Sequence, residues 1–453
     1  MPTRPLAAAA DGASPDAGGS RDQSQPDHRH WLDPLRFTAA RHGLTSLLVR
    51  PSRISVFATV LVLVGTACSG SDEPATTLPP LTTIADTPTT TSTTTAPTTT
   101  PAPPEPVTLG FEMPEGFPDP LNEFYSWLAD ERNGAPDAPD GLLEHVAGME
   151  RMSPGETGEI TSSELSNGDS VAVARVDNDV LLLVEDGRGW RVVGAALEGL
   201  TPWFGEEPRM VLILGSDARV GQNQQRYRAD SVHILTVVPN SSAGAIVGFP
   251  RDAYTEGPDR GFDKLTHHMA SAGPEVMLEV VTNLTDLPIE GYFVTGFLGF
   301  ETIITELGGL DIDLPSVMRS GNNWANFPAG QQHLSPNRTL QLARIRKGLS
   351  GGDFTRSLNQ GRIMHAAMDM VQAPGIELLP GWIDILLDSV WTDLSTEDVL
   401  TLGASAYFME SNALTNIVLP GTVGTTSGGA SVVFLADEAE DIYRDLEDGL
   451  LEP

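Results

Sequence analysis

The sequence predicts an α/β sandwich over residues 204–453, preceded by a small α+β domain over residues 107–203. Three observations carry this. From Met210 onward, apolar runs of strand length alternate with stretches of helical period, as in layered α/β folds. Residues 171–196 instead hold three β runs separated by short Asp/Gly turns, the pattern of a meander. A Thr/Pro-rich stretch over 69–106 sets both regions apart from the N-terminal part, because such a composition cannot bury a core and stays extended.

Taken in order, residues 1–53 are rich in Ala, Asp, Pro, Arg and His without periodicity and read as a disordered cytoplasmic n-region. A start at Val49 would leave an n-region of ordinary length. Ile54–Ala67 is an apolar run of fourteen residues, preceded by Arg50 and Arg53 and running into Gly65-Thr-Ala-Cys68. This is the order of a secretory signal: charge, apolar stretch, small residues. Fourteen residues fall short of the roughly 20 that a membrane-spanning helix needs. Cys68 is the only cysteine, so no intramolecular disulfide exists. It resembles the lipidated cysteine of a bacterial lipoprotein signal, and 54–68 reads either as a lipobox or as an uncleaved membrane anchor. Both readings put the domains on the extracytoplasmic face of the cell membrane, with 69–106 as a spacer.

In the small domain, Leu121, Phe124, Tyr125 and Leu128 fall at helical spacing after Pro118-Asp-Pro120. Val171–Val176, Val180–Val184 and Trp190–Ala196 are the β runs. No catalytic constellation shows there, and a structural role or glycan or partner binding stay open. In the large domain, Met210–Leu214, Val232–Val238, Ala245–Phe249 and Tyr292–Thr295 read as strands. Helices are expected at Pro274–Leu284, Leu298–Leu307, Leu340–Ile345, Ser357–Met370, Trp382–Val390 and Glu397–Tyr407, the last with a capping box at Ser395–Asp398. Ile417–Leu419 and Ser431–Leu435 read as two strands joined by a glycine turn.

Five islands of arginine and aspartate stand at the ends of these apolar runs. They are Leu214-Gly-Ser-Asp-Ala-Arg219, Arg228-Ala-Asp-Ser231, Phe249-Pro-Arg-Asp252, Ala343-Arg-Ile-Arg346 and Gly352-Asp-Phe-Thr-Arg356. Residues 209–362 hold 14 of the chain's 27 Lys and Arg, against a net charge of −34. That acidity argues against sequence-independent nucleic-acid binding, which needs a positive field. Guanidinium groups bind phosphate through a planar fork, and Asp between them can pair with Arg or hold a divalent ion. One such island would read as a surface salt bridge. Five, at strand ends where α/β folds place their chemistry, read as an anion site.

These islands, together with Gly308-Gly-Leu-Asp-Ile-Asp313, Gly330-Gln-Gln-His-Leu334 and Ile417–Phe434, resemble the LytR-CpsA-Psr family from about Arg209 to Met370. The resemblance, read with the strand–helix alternation, makes residues 204–453 a three-layer α/β/α sandwich. It implies an exported, membrane-anchored phosphotransferase. Such an enzyme moves a glycopolymer from a polyprenyl-pyrophosphate carrier to a peptidoglycan hydroxyl with Mg²⁺ or Mn²⁺. By motif position, Arg251, Arg344, Arg346 and Arg356 would contact the pyrophosphate, with Arg228 and Arg219. Asp217 and Asp230 would lie near the metal and the attacking hydroxyl, either of them able to serve as base. Asp252 and Asp353 read as partners that orient arginines, and Lys264 as a further phosphate ligand. The chain departs from the family pattern at Thr266, at Ser335-Pro-Asn337 and at Asn359-Gln360-Gly361, where an arginine is usual.

The apolar set Val276, Val280, Leu284, Leu287, Ile289, Phe293, Phe297, Phe300 and Ile304 reads as core, or in part as the lining of a polyprenyl tunnel. His267 and His268 lack a third ligand at zinc spacing, and His333 reads as structural. Two other functions would use the same islands: a pyrophosphatase acting on the same carrier, and a non-catalytic lipoprotein that binds polyprenyl-linked glycans.

Overall fold

The computed structural model describes residues 119–149 and 158–451. The signal-like segment 54–68 with Cys68 and the 69–106 spacer lie outside the described residues. The chain there begins with helix α1 (Pro120–Ala129), where Asp119 Oδ1 accepts from Asn122 N at 3.2 Å and proline occupies the first turn. Its helical spacing buries Leu121, Phe124, Tyr125 and Leu128 together. Helix α2 (Asp140–Val146) follows. Strands β1 (Gly158–Glu164), β2 (Ser170–Val176), β3 (Asp179–Glu185) and β4 (Trp190–Ala196) form an antiparallel meander in that order. The sequence shows three of these strands. β1 reads GEITSSE, too polar to announce itself.

The central sheet is built from β5 (Arg209–Ser216), β6 (Ala229–Val238) and β7 (Ala243–Gly248), antiparallel in succession. After hairpin β8 (Tyr254–Gly257) and β9 (Gly261–Lys264) come helices α3 (Leu265–Ala272) and α4 (Pro274–Thr285). Strand β10 (Gly291–Thr295) then runs parallel to β5. Helix α5 (Phe297–Glu306) leads into a small β region: β11 (Leu310–Leu314), β12 (Met318–Arg319), β13 (Asn326–Phe327) and β14 (Gly330–Leu334). Helices α6 (Pro336–Arg344), α7 (Asp353–Gln372) and α8 (Leu379–Ser389) precede the edge strand β15 (Trp391–Thr392). Helix α9 (Thr396–Tyr407) starts at the expected capping box, and β16 (Leu414–Val418) runs parallel to β7. Hairpin β17 (Gly421–Thr425) and β18 (Ser431–Leu435) and helix α10 (Glu438–Asp445) complete the chain.

Among the described residues the central sheet has six strands in the order β15-β10-β5-β6-β7-β16. Alternation along its strands sends side chains into two cores. Met210, Leu212, Leu214, Val232 and Ile234 pack with α3, α4 and α10. Val211, Val237 and Ile246 pack with α8 and α9. This is the three-layer α/β/α sandwich. Each fully buried Leu or Val contributes about 1.5–3 kcal/mol. The meander joins it directly: Val171, Val173, Leu182, Val184 and Val193 share the α8/α9 core. Its other face is covered by α1 and α2.

Several expectations change: α6 begins at Pro336 rather than Leu340 and α8 at Leu379 rather than Trp382, and two further changes concern the end of the chain and α7. Ile417 and Val418 pair with β7 in the central sheet, whereas Ser431–Leu435 pairs with 421–425. The turn joins two exposed-edge strands beyond the sheet, so proximity in sequence misassigned the partner. The last change is that α7 begins at Asp353, four residues before the expected Ser357. Gly352, with φ +56°, precedes it, a conformation that favours glycine. Asp353 and Arg356 therefore stand on the first helical turn.

Candidate active site

The C-terminal end of β5, the start of β6, the turn after β7, the end of α6 and the first turns of α7 converge on one cavity of about 320 Å³. Asp230, Arg251, Arg344, Arg346 and Arg356 line it. Five of the sequence-assigned residues thus meet, although they span more than a hundred positions.

Their contacts form one network. Arg251 Nη1 donates to Asp230 Oδ1. Arg356 Nη1 lies 3.8 Å from Asp230 Oδ2, and its Nη2 lies 2.7 Å from Asp353 Oδ1. Arg251 Nε and Arg346 Nη1 each lie 4.0 Å from that same Asp353 oxygen. The alignment at Asp353 makes these ion pairs rather than hydrogen bonds. Arg251 Nε and Arg356 Nε are buried with no hydrogen-bond partner among the described residues. Buried donors left unpaired cost about 1–3 kcal/mol each, and both belong to guanidinium groups that line the cavity.

Burial shapes the charges. Arg356 is 4% exposed, and burial pulls its guanidinium below the ordinary arginine range, against the pull of Asp353 and Asp230. At Arg251 burial works the same way, but Asp230, Asp252 and Asp353 outweigh it and hold the group above that range. Asp217 is pushed above the usual carboxylate range, by burial first and by the neighbouring Asp230 second. Its Oδ1 accepts from Arg228 N at 3.1 Å, and Asp217 N donates to Arg228 O at 2.9 Å, so the two strand-end loops are zipped together.

The remaining assigned residues sit around this centre. Asp252 pairs with Lys264 at 3.1 Å, and neither lines the cavity. Arg219 and Arg228 are exposed. Arg344 lies over the Phe297 ring at 4.7 Å, an aromatic support that fixes its plane. Asn359, where the family pattern has arginine, is fully buried; its amide lies 3.2 Å from Met318 Sδ and it accepts from Arg362 at 2.7 Å. The helix instead presents Arg356, Gln360, Ile363 and Met364 to the cavity, at i, i+4, i+7 and i+8.

Sequence reasoning missed a buried chain behind the site. His233 on β6 is fully buried; its Nδ1 lies 3.1 Å from Ser231 Oγ, and its Nε2 lies 3.0 Å from Ser357 O. A carbonyl only accepts, so Nε2 carries the hydrogen and Nδ1 accepts from Ser231. The chain pins α7 to β6. A lone histidine within an apolar strand pattern gave no sign of this.

The rest of the lining is largely apolar. Phe297 and Phe300 of α5, Leu340 of α6 and Met364 of α7 belong to it. Of the apolar set with two readings, Val280, Leu287, Phe293 and Ile304 are core, and Phe297 and Phe300 face the cavity. His268 is buried against Asp259 at 2.6 Å and His333 pairs with Asp311 at 2.7 Å, both local ties.

Residues 200–447 match the LytR_cpsA_psr family. The chain belongs to the LytR-CpsA-Psr family. A Bacillus cereus relative, named polyisoprenyl-teichoic acid–peptidoglycan teichoic acid transferase TagU, is 27% identical over 238 residues, covering 52% of this chain and 76% of that protein. A TagU of the same name from Oceanobacillus iheyensis is 30% identical over 235 residues, covering 50% and 71%. Among solved structures, Bacillus subtilis TagV is 23% identical, with a TM-score of 0.48, over 55% of this chain and 100% of that one. Curated relatives of this LytR-CpsA-Psr chain are thus named as transferases of a glycopolymer.

The residues present fit a divalent cation. Asp217 and Asp230 are two interacting carboxylates beside a phosphate-type arginine cluster. Among the described residues no group of three or more His, Cys, Asp or Glu forms a self-sufficient metal cage. Mg²⁺ characteristically takes one or two carboxylates and completes its shell with substrate phosphates and water.

Proposed function

We propose that this cavity transfers a glycopolymer from a polyprenyl-pyrophosphate carrier to a peptidoglycan hydroxyl, leaving a phosphodiester link. The observation that carries the reading is the mixed lining of the cavity, where four arginines meet Phe297, Phe300, Leu340 and Met364. That is the complement of an amphiphile with an anionic head and a hydrocarbon tail. The names of the relatives support the donor and acceptor kinds.

In this reading the acceptor oxygen attacks the phosphorus next to the glycan. The bond from that phosphorus to the bridging oxygen breaks, and polyprenyl phosphate departs with the electron pair. Phosphoryl transfer needs chiefly positioning and charge neutralisation. Arg251 and Arg356 hold the pyrophosphate through their unpaired Nε donors, and Arg344 and Arg346 cover it from the α6 side. Asp217, whose raised pKa suits proton acceptance, takes the hydroxyl proton. Asp230 and Asp353 keep the guanidinium groups aligned. Asp217 and Asp230 would hold a divalent cation such as Mg²⁺, which would add charge neutralisation on the phosphates. The proposal includes an extracytoplasmic location, anchored through 54–68 by lipidation at Cys68 or by an uncleaved segment.

The test incubates the protein with a short-chain polyprenyl-pyrophosphoryl sugar, a peptidoglycan fragment and Mg²⁺, following polyprenyl phosphate and the sugar. Transfer to the fragment, lowered about 10²–10³-fold in Arg251→Ala, is the expected outcome. Release without transfer would replace the ligase by a pyrophosphatase. Saturable donor binding without release would leave a binding protein.

A further inference from the structure

A second cavity, of about 470 Å³, lies between the meander and the edge of the central sheet. We infer that it is a saccharide-binding site for an uncharged stretch of glycan, separate from the transfer cavity. Its volume falls in the range of small-molecule pockets, roughly 300–1,000 Å³. The β1–β2 turn, the β3–β4 turn and the segment joining α8 to α9 form its walls.

The wall chemistry is that of hydroxyl recognition. Asn167 Nδ2 lies 2.9 Å from Asp169 Oδ2 and 3.1 Å from Thr396 Oγ1, while Thr396 Oγ1 donates to the same carboxylate. Across the cavity Arg191, 4% exposed, binds Asp186 at 3.1 Å and also Glu397 through Nη2. Its Nη1 has no hydrogen-bond partner among the described residues. Planar amide, carboxylate and guanidinium groups match vicinal hydroxyls, which both donate and accept. Beside them stands Trp391, 44% exposed, whose amphipathic ring offers a flat face to the C–H side of a sugar.

A purely structural tether between meander and α9 would account for the Arg191–Glu397 pair. It accounts neither for the exposed indole nor for the unpaired guanidinium nitrogen. The charge balance selects the ligand. Asp169, Asp186 and Glu397 are matched against Arg188 and Arg191, which leaves no cationic excess for a polyphosphate chain. The transfer cavity, with its four arginines, is the opposite.

The two cavities border one segment. Trp391 is the register partner of Val294, and the next residue, Thr295, lines the transfer cavity. Thr295 Oγ1 donates to Ser389 O at 3.3 Å. The two cavities thus flank the β10–β15 edge of the central sheet. Assigning a glycan seated at Trp391 to the acceptor rests on the transferase reading; saccharide binding itself does not.

The experiment titrates the full chain, by calorimetry, with an N-acetylglucosamine oligosaccharide and with a polyglycerol phosphate polymer, and adds a pull-down on peptidoglycan sacculi stripped of other polymers. Variants are Trp391→Ala and Asn167→Ala, with Arg251→Ala as the control for the transfer cavity. Oligosaccharide and sacculus binding by the wild type and by Arg251→Ala, weakened at least about tenfold in Trp391→Ala with an unchanged thermal unfolding midpoint, is the expected result. Should Trp391→Ala shift that midpoint, Asn167→Ala decides alone, and binding equal to wild type there sinks the site. No saturable oligosaccharide binding at millimolar concentration overturns the inference. So does binding confined to polyglycerol phosphate and lost in Arg251→Ala, which would assign all glycan contact to the transfer cavity.

Discussion

Burial acts in opposite directions on the two kinds of charge at the site. Arg356 stays cationic because its range lies far above neutrality, and its loss of water strengthens its hold on phosphate. Arg356→Lys keeps the charge and loses the fork, so transfer should fall about 10²-fold, read as kcat/KM against donor concentration. In the proposed reaction Asp217 accepts the proton as a carboxylate whose pKa is raised, so activity should climb as pH rises through that pKa. Asp217→Asn should remove both most of the rate and this acidic limb, and a pH–rate profile checks it. His233 is the third case: burial first, then the pull of Ser357 against it, brings its pKa down to about 4. The folded state holds it neutral, while the unfolded chain protonates near 6.5. Stability from this group is therefore complete above about pH 6.5 and declines as pH falls toward 4, by roughly 3 kcal/mol across the whole window. His233→Met should flatten that decline, measured as urea midpoints at pH 7 and pH 5.

Among the elements, the site depends on how closely α7 approaches the sheet. Gly248 ends β7 beneath it, and a Cβ there would meet Ser357 Oγ at 2.3 Å and His233 Nε2 at 3.0 Å. Gly248→Ala should push the first turn of α7 outward, carrying Arg356 and Asp353 with it. The expected signature is a larger loss of transfer than of thermal stability. The capping box of α9 is a contrasting case: Ser395 Oγ accepts from Asp398 N at 3.1 Å and fixes a helix end that borders the second cavity and not the transfer cavity. Most of these elements were legible, because strand and helix periods depend on local sequence. β1, the small strands β8, β9, β11–β15 and β17 and the short helices α2, α3 and α10 were not, since they are short or polar and gain their stability from partners elsewhere in the chain.

For the whole molecule, the meander, α8/α9 and central sheet share a core, so the two regions distinguished by composition meet in one packed body. Arg209 stands at their junction. It is 3% exposed, binds Glu290 through Nε at 2.8 and 2.9 Å and donates to Phe204 O. Arg209→Ala removes the cation beside Glu290 and leaves Phe204 O without this donor, and should lower stability by about 1–3 kcal/mol, measured as a denaturation midpoint.

Residue type, spacing and local period were enough to give the α/β class and the family, and to single out the arginines and aspartates as candidates. Which of those residues meet was settled by the folded chain. Arg344, Arg346 and Arg356 come to Arg251 across about a hundred residues of chain, while Asp217, Arg219, Arg228, Asp252, Lys264 and Asp353 are not part of the cavity lining. Folding also turned Asn359 away from the cavity and brought the neutral His233 under α7. Those outcomes depend on non-local packing and burial, which no window of sequence contains.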